Sequence, residues 1–340
     1  MPIPYLQPNK ILYGDALAVL KTLPDECVDC IITSPPYWGL RDYGVEGQLG
    51  SEKTIGEFLS SMLGITGELK RVLKKTGTMF WNHGDNYGTG SGSGIRDGKQ
   101  ATNRGTQTNK NWQENGKAKV PGYEKSLMLQ AHRLAVRMID EQGWILRNQI
   151  IWHKPNAMPS SVKDRFGVDY EPVFFFTKSK KYFFKQQFES YAPASDVRYR
   201  QALRAGRSYN TKEPYRKNTP YSSGSKYKRG TGSDASRGDD ADGLVVGGTN
   251  PMGRNKRSVW SIPTKPLRDA HFATFPEALI EPMILAGCPA GGGCLDPFMG
   301  AGTTAVVAKK LGRNYLGIEL NPEYIKMAER RIAGVTPPLF

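Results

Sequence analysis

Asp296-Pro297-Phe298-Met299-Gly300-Ala301-Gly302-Thr303-Thr304 is the stretch that decides the fold. Gly293 to Leu295 before it reads as a short strand, and Thr303 to Leu311 after it as a helix. Tyr315 to Glu319 then reads as a second strand, ending in an acid 17 to 19 residues beyond the two glycines. Strand, Gly-rich turn, helix and acid-tipped strand follow the nucleotide-binding logic of doubly wound α/β sheets. The glycines let backbone approach a ligand closely, and the helix N-terminus offers free amides. Glu319 can accept hydrogen bonds from both hydroxyls of a ribose. Gly300-Ala301-Gly302-Thr303-Thr304-Ala305 also satisfies a dinucleotide fingerprint that tolerates Ala at its third glycine, so the loop alone leaves that ligand open. Asp296 tips the balance. An acid just ahead of the glycines repels a pyrophosphate but suits the sulfonium and ammonium groups of S-adenosylmethionine. A plain βα turn is the alternative.

A second run lies at the other end of the chain, Thr33-Ser34-Pro35-Pro36-Tyr37-Trp38. Val28 to Thr33 ahead of it is nearly continuous and β-branched, as in a buried parallel strand. Ser34 to Tyr37 should therefore sit at the carboxyl edge of the sheet, where open α/β folds bind ligands. Two prolines in succession fix the backbone and lack N–H groups, so their carbonyls project rigidly. A rigid carbonyl and the Ser34 hydroxyl can both meet an exocyclic amino group, orienting its lone pair toward a methyl donor. Tyr37 offers a face on which an extruded base can stack. No cysteine nucleophile is required, because such a nitrogen attacks directly. A Pro-Pro turn after a strand is the simpler reading.

Between these runs the pattern is α/β. Lys10 to Asp15 reads as a strand ending in Gly-Asp, followed by helices at Ala16–Leu23 and Ile55–Leu73 and a strand at Gly77–His83. Asn86 to Gly122, rich in Gly, Asn, Lys, Thr and Gln, is expected to form a long mobile loop. Helical spacing returns at Ser126–Gln142, and strands are expected at Ile145–Trp152 and Pro172–Lys178. Later helices are expected at Pro276–Ala286 and Pro322–Ala333. Lys180 to Trp260 holds seventeen Lys or Arg against seven Asp or Glu, a net of +10 of the chain's +15. Its interleaved tyrosines fit a nucleic-acid-reading module, with disorder as the alternative for so polar a tract. The expected division is 1–179, a catalytic part; 180–260, a target-recognition region; and 261–340, a cofactor-binding part of the same α/β domain.

The 340 residues are 38% hydrophobic, enough for one core with a polar segment outside it. The basic balance favours a polyanionic partner. Cys27 and Cys30 have CxxC spacing, but Cys30 falls in the expected buried strand, and Cys288 and Cys294 flank a Gly-rich stretch. Ordinary reduced thiols and no metal are expected. No signal peptide, membrane-length apolar run or lipidation motif is present, which leads to an expected cytoplasmic location.

On these residues the chain resembles the β-class amino-DNA methyltransferases of restriction-modification and phage systems. Ser34-Pro35-Pro36-Tyr37 is similar to that family's catalytic motif, Asp296 to Gly302 to its cofactor loop, and Glu319 to its ribose-binding acid. The order of the parts matches too, with the catalytic motif first and the cofactor loop near the C terminus. The resemblance implies a methyltransferase-type α/β fold with a doubly wound, mostly parallel sheet and an inserted target-recognition region. It implies S-adenosylmethionine as cofactor, double-stranded DNA as substrate, and room for a cognate restriction endonuclease and a homodimer.

Catalysis would fall to Ser34, Pro35, Pro36 and Tyr37. The cofactor would be bound by Asp15, Thr33, Phe275, Asp296, Pro297, Phe298, Gly300, Gly302, Thr303 and Glu319, with Phe275 drawn from a His271–Pro276 segment over the methionine moiety. Trp152 to Ser160 and Lys163-Asp164-Arg165 resemble a stretch of the N4-cytosine branch. Hence Trp38, Lys154, Lys163 and Arg165, with Arg200, Arg204, Arg207, Lys226, Lys228 and Arg229 in the basic tract, are expected to meet DNA. Ser rather than Asp before Pro-Pro-Tyr favours N4 of cytosine over N6 of adenine. Competing readings are an inactive DNA-binding protein with this fold, and a small-molecule or protein methyltransferase, which the basic tract disfavours.

Overall fold

Val28–Thr33 (β2) and Gly293–Asp296 (β9) lie side by side and parallel in the middle of an eight-stranded sheet. The computed structural model describes residues 8–38, 48–88, 123–191, 253–265 and 275–336. From β9 the sheet runs outward through Asn314–Glu319 (β10) to Lys10–Tyr13 (β1). From β2 it runs the other way through Leu73–Asn82 (β3), Tyr170–Thr177 (β5), Ile145–His153 (β4) and Val259–Ser261 (β8). Only β5 runs antiparallel to its neighbours. The sheet is thus the doubly wound, mostly parallel one expected. The winding reverses between β9 and β2, and such a reversal opens a crevice at the carboxyl ends of the strands.

Two layers of helices cover the sheet, because consecutive strand residues face opposite ways. Ile31, Met79, Trp81, Phe174 and Phe176 pack with Ala16–Thr22 (α1), Ile55–Val72 (α2) and Gln130–Gln142 (α3). Cys30, Ile32, Phe80, Val173 and Phe175 pack with Glu277–Gly287 (α4), Thr303–Lys310 (α5) and Pro322–Ala333 (α6). Helix α2 begins with a reciprocal capping box: the Glu57 amide donates to Thr54 Oγ1 and the Thr54 amide to Glu57 Oε2, each at 3.1 Å. It then buries Phe58, Met62 and Leu69 completely, each contributing roughly 1.5–3 kcal/mol over an exposed position.

Several boundaries differ from the sequence reading. Helix α3 starts at Gln130 rather than Ser126, since Leu129 is left-handed at φ 53° and Tyr87 bridges to Leu127. The Met128 amide donates to the Asn86 carbonyl, so this segment spends its backbone on a loop instead of a helical turn. Strand β3 begins at Leu73, directly after α2, and stops before His83. The short strands Phe188–Glu189 (β6), Arg254–Asn255 (β7) and β8 carry no periodicity readable in sequence.

The chain divides into two units, Met1–Gln186 with Ser258–Phe340, and Gln187–Arg257. In the second unit β6 and β7 pair antiparallel, and Glu189 binds both Arg254 and Arg257. Most of the expected recognition tract, residues 192–252, lies outside the described residues, as do 89–122 of the expected loop. All four cysteines are free and buried, and Cys27 and Cys30 belong to opposite layers. Among the described residues no group of His, Cys, Asp or Glu could hold a metal, and no helix is long and apolar enough to cross a membrane.

Candidate active site

The carboxyl ends of β1, β10, β9 and β2 bring together most of the expected cofactor residues. Asp296, last in β9, is 0% exposed. Its carboxylate accepts from Thr33 Oγ1 (2.7 Å), Thr304 Oγ1 (2.7 Å) and the Phe298 amide (3.1 Å). Burial pushes its pKa up to about 6, against the pull of the two threonine hydroxyls and the Phe298 amide. Asp296 thus organises the loop from beneath. Thr33, expected to bind cofactor, is buried and spends its hydroxyl on Asp296; Thr304, which ends the quoted loop but was given no role in it, does the same.

The loop above it is shaped by two glycines with positive φ. Gly300, at φ 51°, donates its amide to Glu319 Oε2 at 2.7 Å. Gly302, at φ 78°, starts α5 so close to α6 that a Cβ there would lie 2.7 Å from that of Ala328. Arg331 of α6 donates to the Ala301 carbonyl and to Thr303 Oγ1, so Thr303 helps anchor the loop while its hydroxyl proton stays free to donate. Glu319 closes β10 with Oε1 accepting from the Asn321 amide (2.8 Å). Burial raises its pKa, opposed by the Asn321 and Gly300 amides. Each of its oxygens keeps a lone pair for a further donor. Asp15 is exposed just past β1, capping α1 through the Ala18 amide (2.9 Å). Pro297 is buried, Phe298 packs against one core layer, and Phe275 against the other. Residues 271–274 lie outside the described residues.

The Ser-Pro-Pro-Tyr run leaves β2 at the same edge. Ser34 Oγ and Tyr37 Oη are 3.1 Å apart, and Tyr37 Oη is 3.2 Å from Glu171 Oε2. The Tyr37 ring stacks on His83, with centroids 5.0 Å apart and planes 15° from parallel. Close by, a Cβ on Gly84 would lie 2.6 Å from Tyr37 Cε2, so only glycine fits beside the ring. Burial, reinforced by the Glu171 charge, holds the Tyr37 hydroxyl well above the ordinary phenol range, while its bonds to Ser34 and Gly84 pull the other way. Burial also lowers His83 to about 3, so it packs as a neutral ring.

Two expected DNA contacts are corrected here. Trp38 is buried in the core, its indole N–H donating to the Glu52 carbonyl (2.9 Å) and its amide to Gln130 Oε1 (3.0 Å). It holds the backbone after Tyr37 and offers no surface. Lys154 is paired with Glu171 and lies 4.4 Å over the Trp152 ring, so its charge is already engaged. Lys163 and Arg165 are exposed, and Arg165 stacks 3.8 Å from the Tyr87 ring. Arg200, Arg204, Arg207, Lys226, Lys228 and Arg229 lie outside the described residues. Glu171, Asn82 and His83 had no motif to mark them. The one available signal was polar residues abutting buried strands, in Asn82-His83-Gly84 and Tyr170-Glu171-Pro172.

Residues 28–330 match the family model described as DNA methylase. The chain belongs to this family. It is 39% identical to the Type II methyltransferase M.XycI of Xanthomonas campestris pv. cyanopsidis over 97% of this chain and 89% of that one. It is 38% identical to the Type II methyltransferase M.Cfr9I of Citrobacter freundii, over 94% and 86%. This DNA methylase is therefore an amino-DNA methyltransferase of the restriction-modification type. Its fold is shared with the PvuII DNA methyltransferase (cytosine-N4-specific), at TM-score 0.59 and 18% identity over 97% and 89% of the two chains. A solved structure from Thermus thermophilus, complexed with S-adenosyl-L-methionine, has TM-score 0.53 and 20% identity over 96% and 93%.

Proposed function

We propose that this DNA methylase moves a methyl group from S-adenosylmethionine to the N4 amino group of a cytosine flipped out of double-stranded DNA. The observation that carries the reading is the hydrogen bond between Thr33 and Asp296. It ties the strand that delivers Ser34-Pro35-Pro36-Tyr37 to the strand that delivers the glycine loop, so an amine at the first run faces a donor held at the second.

The cofactor residues fit S-adenosylmethionine. Glu319 has lone pairs left for ribose hydroxyls, Asp15 is exposed at the neighbouring strand end, and Gly300 leaves open space beside the loop backbone. The cofactor supplies an electrophilic methyl group. Ser34 and the Pro35 carbonyl accept hydrogen bonds from the target amine, which orients its lone pair and stabilises positive charge as it develops. Tyr37, braced by His83, gives the flipped base a stacking face. A hydroxyl at position 34 favours cytosine; adenine N6 is the second reading, since Ser34 accepts from either amine. The 180–260 tract would supply target recognition, and a restriction endonuclease with the same site would be the natural companion.

Sequencing that distinguishes modified bases, on DNA from cells expressing the protein, tests this directly. N4-methylcytosine at one recurrent site is the expected result. N6-methyladenine would move the assignment to the second reading, and unmodified DNA would overturn both.

A further inference from the structure

We propose that Glu171, held by Lys154 and Asn82, is a positioning residue that makes Ser34 a pure hydrogen-bond acceptor toward an exocyclic amino group. The inference rests on the methyl-transfer reading and adds a specificity device to it. Ser34 and Tyr37 each own one hydroxyl proton, and at 3.1 Å either could donate to the other. A third partner settles the direction. Glu171 Oε2 lies 3.2 Å from Tyr37 Oη, and a carboxylate paired with an ammonium has only lone pairs to offer. Tyr37 therefore gives its proton to Glu171. Its oxygen is left to accept, and Ser34 gives its own proton to Tyr37. Ser34 Oγ then faces the cleft with lone pairs and no hydrogen.

That polarity decides which bases fit. An amino group arrives with N–H donors and is accepted. A carbonyl at the same position sets lone pair against lone pair, and a polar group left unpaired in a closed site is costly. The arrangement thus reads amino against keto.

Three restraints hold Glu171 in place. It sits opposite Trp152 at the start of β5, at the edge where β2 delivers Ser34. Lys154 pairs with Oε1, and both side chains are only 19% exposed. Asn82, last in β3, donates Nδ2 to Glu171 Oε2 (3.2 Å) and to the Pro172 carbonyl (3.3 Å). Lys154 is itself held over Trp152. Lys154, just past β4, and Asn82 of β3 thus converge on Glu171, which meets the Tyr37 hydroxyl beside Ser34.

The test combines rate with base discrimination. Single-turnover methyl transfer is measured for wild type, Glu171→Gln, Tyr37→Phe and the double variant, with cofactor affinity and thermal melting alongside. Both single variants should lose about 100-fold in rate, the scale expected when a reacting group is misaligned, with cofactor affinity unchanged. The double variant should be no slower than either, because both changes break one chain of hydrogen bonds. Tyr37→Phe leaves the Glu171–Lys154 pair intact, so it carries the test if Glu171→Gln folds poorly.

The second readout is binding to duplexes holding either the target base or its deaminated, keto counterpart at the target position. Wild type should prefer the amino base, and each variant should lose much of that preference, since Ser34 regains a proton to donate. A merely structural role would not move this ratio. Wild-type rate and discrimination in Tyr37→Phe, or multiplicative losses in the double variant, would overturn the proposal while methyl transfer stands. A wild type that transfers no methyl group to DNA would overturn the methyl-transfer reading and this proposal together.

Discussion

Thr33 Oγ1 donates to Asp296 Oδ1 at 2.7 Å, joining residues 263 positions apart in the chain. Each is the last residue of its strand, and the two strands flank the point where the winding of the sheet reverses. The bond is fully buried, so removing the donor strands a lone pair on a charged group. Thr33→Val should cost on the order of 1–3 kcal/mol of folding stability at pH 8. Urea unfolding reads this, and wild-type stability in the variant would show that the bond contributes nothing.

The Asp296 carboxyl also predicts a pH dependence. Its folded value is about 6, against an ordinary 3.8, so the native state holds this proton more tightly than the unfolded chain. Stability from this group is therefore fully present below pH 3.8 and lost as pH rises through about 6. Asp296→Asn removes the titration. The stability of wild type relative to Asp296→Asn should fall between pH 4 and pH 7, by on the order of 2–3 kcal/mol. A constant difference across that window would mean that Asp296 does not titrate as its burial demands.

The glycine loop and its acid should control cofactor affinity. Gly300→Val places a β-branched residue at φ 51° and disturbs the amide that Glu319 accepts. Asp296→Ala leaves Thr33, Thr304 and the Phe298 amide without their acceptor. Glu319→Gln replaces the charged acceptor proposed for the ribose hydroxyls, a loss worth roughly 1.5–3 kcal/mol, or about 10- to 100-fold in affinity. Calorimetric titration with S-adenosylmethionine should show weakened binding in all three, and undiminished affinity would remove this loop from the cofactor site.

Catalytic substitutions should separate from those. Ser34→Ala should lower turnover far more than cofactor affinity if, as proposed, its hydroxyl accepts from the target amine. Tyr37→Ala should lose about 1–3 kcal/mol of base stacking, seen as weaker binding of DNA with an extruded target. If Ser34→Ala changed only the affinity for S-adenosylmethionine, Ser34 would belong to the cofactor site.

DNA contact should involve both the basic tract and the loop between β4 and β5. In that loop Met158 and Phe166 are 92% and 95% exposed, beside the exposed Lys163 and Arg165. So much bare apolar surface among cations suits a nucleic-acid edge better than water. Phe166→Ala should weaken DNA binding and spare cofactor binding. Replacing 187–257 with a Gly/Ser linker should abolish specific binding and flatten the salt dependence, since each lost phosphate contact removes about 0.9 from the slope. Specific binding that survives this replacement would place recognition elsewhere, with 86–122 the next candidate.

The fold was legible because its signals are local. A buried parallel strand reads as a nearly continuous, β-branched apolar run, as at Val28–Thr33, where only Asp29 breaks the run ahead of Thr33. Gly302 combines a positive φ with a close approach to Ala328 that leaves no room for a Cβ. An acid closing the next strand, Glu319, stands at a fixed spacing from the loop glycines. Boundaries were less legible where long-range bonds override propensity. Residues 126–129 have helical spacing but spend their backbone on 86–88. Trp38 had the composition of a surface aromatic beside a catalytic run, and only packing against Glu52 and Gln130 shows it buried.

The sequence by itself determined the strand–loop–helix units, the glycines of the turn and the Ser-Pro-Pro-Tyr run, because each depends on backbone geometry within a few residues. Tertiary structure alone decided which side chains meet. Thr33 and Thr304 hold Asp296 instead of a ligand, Arg331 claims Thr303, and Lys154 is drawn to Glu171. Those partners come from strands and helices distant in the chain. A hydrogen bond depends on where atoms lie in space, and the order of residues along a strand does not encode which strand will lie beside it.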